Sequence, residues 1–320
     1  MMTDINQKLF DMIKQNKSLD EISNTMNLSY KQIYYRMTQI EALGYPIKRQ
    51  YNSNGNIKYL FEKTDKFKLY NNKKRLKTIA ISDLHIGNIK SDMEALDAIY
   101  NYCIKNDIHT ILICGDILDG TYSAGKQIIN AEDQIEYLLK KYPHDKKINN
   151  FYVSGDHDAS ILKDLKISLD DVLIRKRHDI FPINYYSNSN NININNNIIT
   201  LSHKFPDIKH LDKVKLQLMG HEHISKSFVN VNNSRSPIIV VPTLSRINNI
   251  RYDQTSIPRA LELTFYMNDD FNFNHIEKKD LLVLNNKVIN TGSLILNYSD
   301  DCEKNLIKYD NENGYSKKLK

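Results

Sequence analysis

From position 78 onward, short apolar runs alternate with stretches of helical period. The runs at 78–82, 110–114 and 151–154 show no polar face, which is the pattern of strands covered on both sides. Between them, 92–105 and 127–142 place apolar residues at three- and four-residue spacing and read as helices. Ser91 and Glu94 form a predicted capping pair before the first, and Pro143 follows the second. The order βαβαβ predicts a parallel sheet. Further strands are predicted at 183–186, 198–202, 216–219, 227–231, 238–241 and 260–265, and the Asn-rich stretch 188–197 is predicted to be a flexible surface excursion. The last fifty residues, with an Asn285-Asn286 turn, carry no chemical signal.

Before position 78 the pattern is helical. A first helix is predicted over 4–15, with Ile5, Leu9, Met12 and Ile13 on one side. A second opens at Ser18 with Glu21 three positions on, and a third repeats the device with Ser29 and Gln32; Leu28 and Ile33 stand where a hydrophobic staple would. Gly44 and Pro46 mark its end. Ile33, Met37, Ile40 and Leu43 share one face of this helix. Tyr30, Lys31, Tyr34, Tyr35, Arg36 and Gln39 remain for the others, a set able to hydrogen-bond phosphates and base edges. Runs at 47–51 and 57–61 around an Asn54-Gly55 signal predict a hairpin.

Charge changes the picture only when divided along the chain. Residues 1–77 hold 15 Lys+Arg against 7 Asp+Glu, a net +8, while the rest holds 29 against 31. The whole basic excess lies in the first quarter and suits a polyanionic partner. The 41% hydrophobic and 26% charged fractions are those of a globular chain, and no run nears the roughly 18 apolar residues of a membrane span. The polar start, 1–9, is not a signal sequence, so a cytoplasmic protein without a membrane partner is expected. Cys103, Cys114 and Cys302 are odd in number and unpaired in spacing, which predicts incidental thiols.

The chemistry-bearing residues follow the apolar runs. Asp83-Leu84-His85 comes after the first, Gly115-Asp116-Ile117-Leu118-Asp119 after the second, and Gly155-Asp156-His157-Asp158 after the third. Ser202-His203 and Gly220-His221-Glu222-His223 end two later runs. Ligands in open α/β sheets bind at the carboxyl ends of strands, so these blocks should converge. Imidazoles mixed with carboxylates suit Mn, Fe, Zn or Ni. A lone D-x-H would mean little; five blocks in this order resemble the calcineurin-like metallophosphoesterase superfamily over about residues 78–244.

The resemblance implies a four-layer αββα sandwich and two divalent ions, Mn²⁺ first and Fe, Zn or Ni as alternatives. The first ion would take Asp83, His85 and His223; the second would take Asp156, His203 and His221, with Asp116 bridging. It implies His157 as proton donor to the leaving oxygen, Asp158 as the holder of its ring, and Asp119 as a residue that orients a ligand. Three helices and a hairpin resemble a winged helix-turn-helix domain. The expected division is therefore a winged helix-turn-helix domain at 1–62, a basic linker at 63–77, the phosphoesterase domain at 78–300 and a polar tail at 301–320.

One departure stands out. The family usually places Asn where this chain has Asp156, and Lys204 stands where Gly is common. With three ionised aspartates the ligand set carries −3, which predicts a preference for singly charged phosphodiesters and slow turnover. The wording around Asp83–Gly87, Asp116–Gly120 and Gly155–Ala159 is more like nucleases than protein phosphatases. The expected function is a nucleic-acid phosphodiesterase placed on DNA by its N-terminal module, with homodimerisation left open. The alternatives are a DNA-binding regulator that hydrolyses or senses a small nucleotide, and a low-activity scaffold.

Overall fold

The computed structural model describes residues 3–15, 17–42, 47–51, 57–61, 68–69, 74–122, 127–183, 190–195, 197–204, 214–229, 236–247 and 256–298. The N-terminal part is α1 (Asp4–Lys14), α2 (Leu19–Met26), α3 (Tyr30–Ala42) and an antiparallel pair, β1 (Ile47–Tyr51) and β2 (Ile57–Phe61). The cap chemistry read from the sequence is present. Glu21 N donates to Ser18 Oγ while Ser18 N donates to the Glu21 carboxylate, and Ser29 with Gln32 reciprocates in the same way. Leu9, Phe10, Met12, Ile13, Ile22, Ile33, Met37 and Ile40 bury a small core, and Leu28 packs against it. The expected helix stop at Gly44 and Pro46 and the Asn54-Gly55 turn lie outside the described residues.

The larger part begins with β4 (Arg75–Ile81), inside the stretch expected to be linker; β3 (Lys68–Leu69) also falls there. The chain then runs through α4 (Met93–Lys105), β5 (Thr110–Ile113), α5 (Ala131–Lys141), β6 (Asn149–Tyr152), α6 (Asp156–Leu165), α7 (Leu169–Lys176) and β7 (Ile180–Pro182). β4, β5, β6 and β7 are parallel neighbours, as the βαβαβ reading requires. β13 (Arg259–Met267), β14 (Phe273–Leu284) and β15 (Lys287–Asn297) extend this sheet antiparallel from β4. Asn285 and Asn286, both at positive φ, form the turn between β14 and β15.

A second sheet has the order β11-β12-β10-β9-β8-β3, with β8 (Asn191–Ile194), β9 (Asn197–Ser202), β10 (Val214–Met219), β11 (Lys226–Val229) and β12 (Pro237–Val240). Period-2 alternation explains how the sheets stack. Ile79, Ile81, Ile111, Ile113 and Tyr152 join the core under the helices, whereas Ala80, Leu112, Cys114 and Phe151 join a second core shared with Ile199, Leu201, Leu216 and Leu218 of the other sheet. The result is helices, sheet, sheet. Among the described residues no helix covers the outer face of the second sheet, so the expected fourth layer is not seen in them.

Two local expectations need correction. In its described residues, 190–195 and 197, the Asn-rich stretch is not a surface excursion. β8 pairs antiparallel with β9, and Ile192 and Ile194 are fully buried between the sheets. The polar Asn residues there alternate with core isoleucines, which is a strand pattern. The strand expected at 183–186 lies mostly outside the described residues, which hold β7 at 180–182 just before it. At α4 the cap is Asp92, whose carboxylate accepts from Ala95 N, while Ser91 Oγ donates to Leu84 O. Cys103 and Cys114 are buried thiols, and burial pushes Cys103 up to about 12. No helix among the described residues is long and apolar enough to cross a membrane.

Candidate metal centre

The five blocks converge at the carboxyl ends of β4, β5, β6, β9 and β10. The turns that carry them are strained. Asp83, His85, Asp116, His221 and His223 all have positive φ, between 47° and 71°. A side chain in that region costs on the order of 1 kcal/mol or more, so the surrounding contacts must hold each one. They do so through the main chain: Asp83 N donates to Gly115 O and His85 N to Asp116 O. Gly155 is required by a close approach, since a Cβ there would collide with Asp116 Oδ1.

Two groups of donors result: Asp116, Asp156, His203 and His221 in one, and Asp83, His85 and His223 in the other. In the first, His203 Nε2 lies 3.0 Å from both Asp116 Oδ2 and Asp156 Oδ1, and His221 Nδ1 lies 3.6 Å from Asp156 Oδ1. In the second, His223 Nε2 lies 3.2 Å from Asp83 Oδ1, and His85 Nε2 lies 3.9 Å from it. His85 Nε2 is also 3.9 Å from Asp116 Oδ2, which places Asp116 between the groups.

Each carboxylate divides its labour. Asp116 Oδ1 accepts from His157 N at 2.9 Å and Asp83 Oδ2 from His221 N at 3.1 Å, leaving the other oxygen to face the imidazoles. His203 Nδ1 sits 2.9 Å from Cys114 O, which fixes the proton there and turns Nε2 inward.

These donors fit divalent cations. Asp83 Oδ1 and Asp156 Oδ1 are buried oxygens that receive no hydrogen bond. Such orphan acceptors beside inward-turned imidazole nitrogens are what a bound cation satisfies. The charge state without metal points the same way. Burial opposes charge on His203, but Asp116 and Asp156 beside it outweigh this and raise its pKa to about 11. Burial would raise Asp83; His223, His203 and His85 overcome it and hold the carboxyl at about 2. His203 holds Asp156 well below the usual carboxylate range, against burial and together with Lys204. Positive charge is therefore demanded at this spot.

All seven expected ligands meet here. The neighbouring assignments change. Asp158 does not hold the His157 ring: at N3 of α6 its carboxylate accepts from the amides of Gly155, Ile117 and Leu118 at 3.0, 3.3 and 2.8 Å. Three main-chain amides satisfy it at that point. The His157 ring instead meets the carbonyl of Asp119, with Nδ1 at 2.6 Å from Asp119 O. Asp119 also places Oδ1 3.5 Å from His85 Nδ1, and Asn88 Nδ2 donates to that same oxygen at 3.0 Å. Asn88 and buried Gln134, which accepts from Gly120 N and donates to Gly120 O, were not foreseen. Their amides carry no motif. Tyr122, 52% exposed and set edge-on to His157, was also missed.

On α3 the expected outward set is divided. Tyr34 packs on the small core, Arg36 Nη1 donates to Asn6 Oδ1 at 3.1 Å, and Gln39 Oε1 accepts from Asn6 Nδ2 at 3.0 Å. These two bridge α3 to α1. Tyr30, whose hydroxyl meets Asp20, Lys31 and Tyr35 remain exposed.

Comparison with known proteins agrees with this centre. No curated protein matches the chain. Among solved structures it is similar to GAP50, the anchor in the inner membrane complex of Plasmodium, at 12% identity and a TM-score of 0.44, over 74% of this chain and 94% of that one. It is also similar to the Pseudomonas putida nuclease MPE, at 17% identity and a TM-score of 0.33, over 57% of this chain and 83% of that one. The model of the calcineurin-like phosphoesterases matches residues 76–284, a span holding all five blocks. The chain therefore belongs to the calcineurin-like phosphoesterase family and is a phosphoester hydrolase that uses divalent metal.

Proposed function

We propose that the chain is a phosphodiesterase acting on nucleic acid with two divalent ions, Mn²⁺ first among them. The observation that carries this reading is the pair of donor groups with Asp116 between them. Bound there, the ions supply Lewis-acid polarisation of a phosphoryl oxygen. Asp83, His85 and His223 would hold one ion and Asp156, His203 and His221 the other, with Asp116 placed between the two groups. His157, partly exposed beside them, gives its proton to the leaving oxygen. The Asp119 carbonyl fixes Nδ1–H and leaves Nε2 as the exchanging position. A diester suits a ligand set with three carboxylates because it brings one negative charge rather than two.

Support for a nucleic-acid substrate comes from the net +8 of residues 1–77, together with the exposed Lys31 and Tyr35 on a helix of a winged helix-turn-helix-like module. The test is incubation of the full chain and Mn²⁺ with labelled single- and double-stranded DNA, in parallel with bis-p-nitrophenyl phosphate. Cleavage of both is expected. Dye release with intact DNA would replace this reading with a nucleotide-directed regulator, and no turnover with metal bound would leave a scaffold.

A further inference from the structure

Asp156 faces two ways. Its Oδ1 lies against His203 and His221, while its Oδ2 lies 3.2 Å from Lys204 Nζ. Lys204 directly follows His203 at the end of β9, so one strand end delivers both a metal-facing imidazole and an ammonium. The Lys204 side chain is 55% exposed, against 33% for Asp156 and 4% for His203. The ammonium thus lies on the solvent side of the donor cluster. A lysine has three N–H donors, and Asp156 occupies one. The remaining donors have no partner among the described residues. An ionised carboxylate at this rim repels an arriving phosphate and offers it only acceptors; an ammonium beside it cancels the charge and restores a donor.

We propose that Lys204 is a substrate-phosphate contact of this enzyme, paired with Asp156 so that the two form a net-neutral unit with N–H donors facing the crevice. The inference rests on the reading of Asp156 as a metal ligand. It adds that the −3 charge of the ligand set is offset where substrate enters, so the carboxylate at this position does not by itself disable the site.

The test uses calorimetric titration of the full chain, first with Mn²⁺ and then, on the Mn²⁺-saturated protein, with inorganic phosphate as the probe. Lys204→Met should keep the Mn²⁺ stoichiometry and affinity of the unsubstituted protein and bind phosphate about tenfold more weakly, the scale of one charge-assisted hydrogen bond. Lys204→Arg should keep most of the phosphate affinity. Adding Asp156→Asn to Lys204→Met should recover a large part of the loss, because the amide supplies the missing donor and removes the repelling charge. Unchanged phosphate affinity in Mn²⁺-loaded Lys204→Met overturns the proposal alone. Weaker Mn²⁺ binding with unchanged phosphate binding would make Lys204 a tether for Asp156 and also overturns it. No Mn²⁺ binding to the unsubstituted protein would overturn the metal-site reading and the proposal together.

Discussion

His85 and His223 point their Nε2 atoms at each other across 3.4 Å. His223 Nδ1 lies 3.3 Å from Ile247 O, which favours its proton on Nδ1 and turns its Nε2 inward; His85 Nδ1 has no hydrogen-bond partner among the described residues. A cation between the two Nε2 atoms would take a lone pair from each ring. Metal binding should therefore stabilise the fold. At a free Mn²⁺ concentration 100 times its Kd, the gain is about 2.7 kcal/mol, read as a higher Tm that excess chelator reverses. His223→Ala should show a much smaller rise. Equal Tm values with chelator and with Mn²⁺ would contradict the centre.

His157 is held through Asp119 O and not through Asp158. His157→Ala should lower kcat by roughly 10²- to 10⁴-fold while Mn²⁺ still binds. The loss should be greater for an alkyl leaving group, which needs a proton, than for p-nitrophenolate, which does not. Equal losses for the two esters would remove His157 from the proton transfer.

Arg177 and Asp179 form a two-point ion pair, with Nε–Oδ1 at 2.8 Å and Nη2–Oδ2 at 2.7 Å, and Arg177 also donates to the carbonyls of Tyr142 and Pro143. Burial works to raise the Asp179 pKa, but Arg177 and then His144 bring it below the usual carboxylate value. A carboxylate with a depressed folded pKa gives stability that is complete above the unfolded value, about 3.9, and is lost as pH falls through the folded one. Asp179→Asn should destabilise by about 3 kcal/mol at pH 7 by leaving the Arg177 guanidinium without its charge partner. The difference from the unsubstituted protein should shrink below about pH 4. Urea unfolding at pH 7 and pH 3 measures both; a gap that widens in acid would reverse the assignment.

Side-chain chemistry at strand ends was legible in the sequence, and main-chain chemistry was not. The seven donors from Asp83 to His223 each follow an apolar run long enough to be a buried strand, and the parallel order brings those ends together. Asp158 was misassigned because its partners are the amides of Gly155, Ile117 and Leu118, which have no sequence signature. α6, which begins inside the Gly-Asp-His-Asp block, was not foreseen. In β8, the number of Asn residues outweighed the alternation of Ile192 and Ile194, although the isoleucines set the burial. Arg36 and Gln39 meet Asn6 for a reason the helical period does not show. Helical period says which residues leave the core face, but not that α1 presents buried Asn6 to them.

That last point decides how the N-terminal module should be tested. If α3 meets DNA, the contact falls to residues still exposed, Lys31 and Tyr35 foremost, while Arg36 is engaged with Asn6. Lys31→Glu should weaken binding to duplexes of any sequence. Lys31→Ala should reduce the slope of log affinity against log salt by about 0.9, the signature of one lost phosphate contact. Arg36→Ala should instead lower Tm, because it strips a partner from a buried amide, and should leave the salt slope unchanged. Fluorescence anisotropy with a labelled duplex across a salt series distinguishes them. A slope that falls for Arg36→Ala and stays constant for Lys31→Ala would mean that the face turned to DNA is the one bridging to α1, which the Asn6 hydrogen bonds oppose.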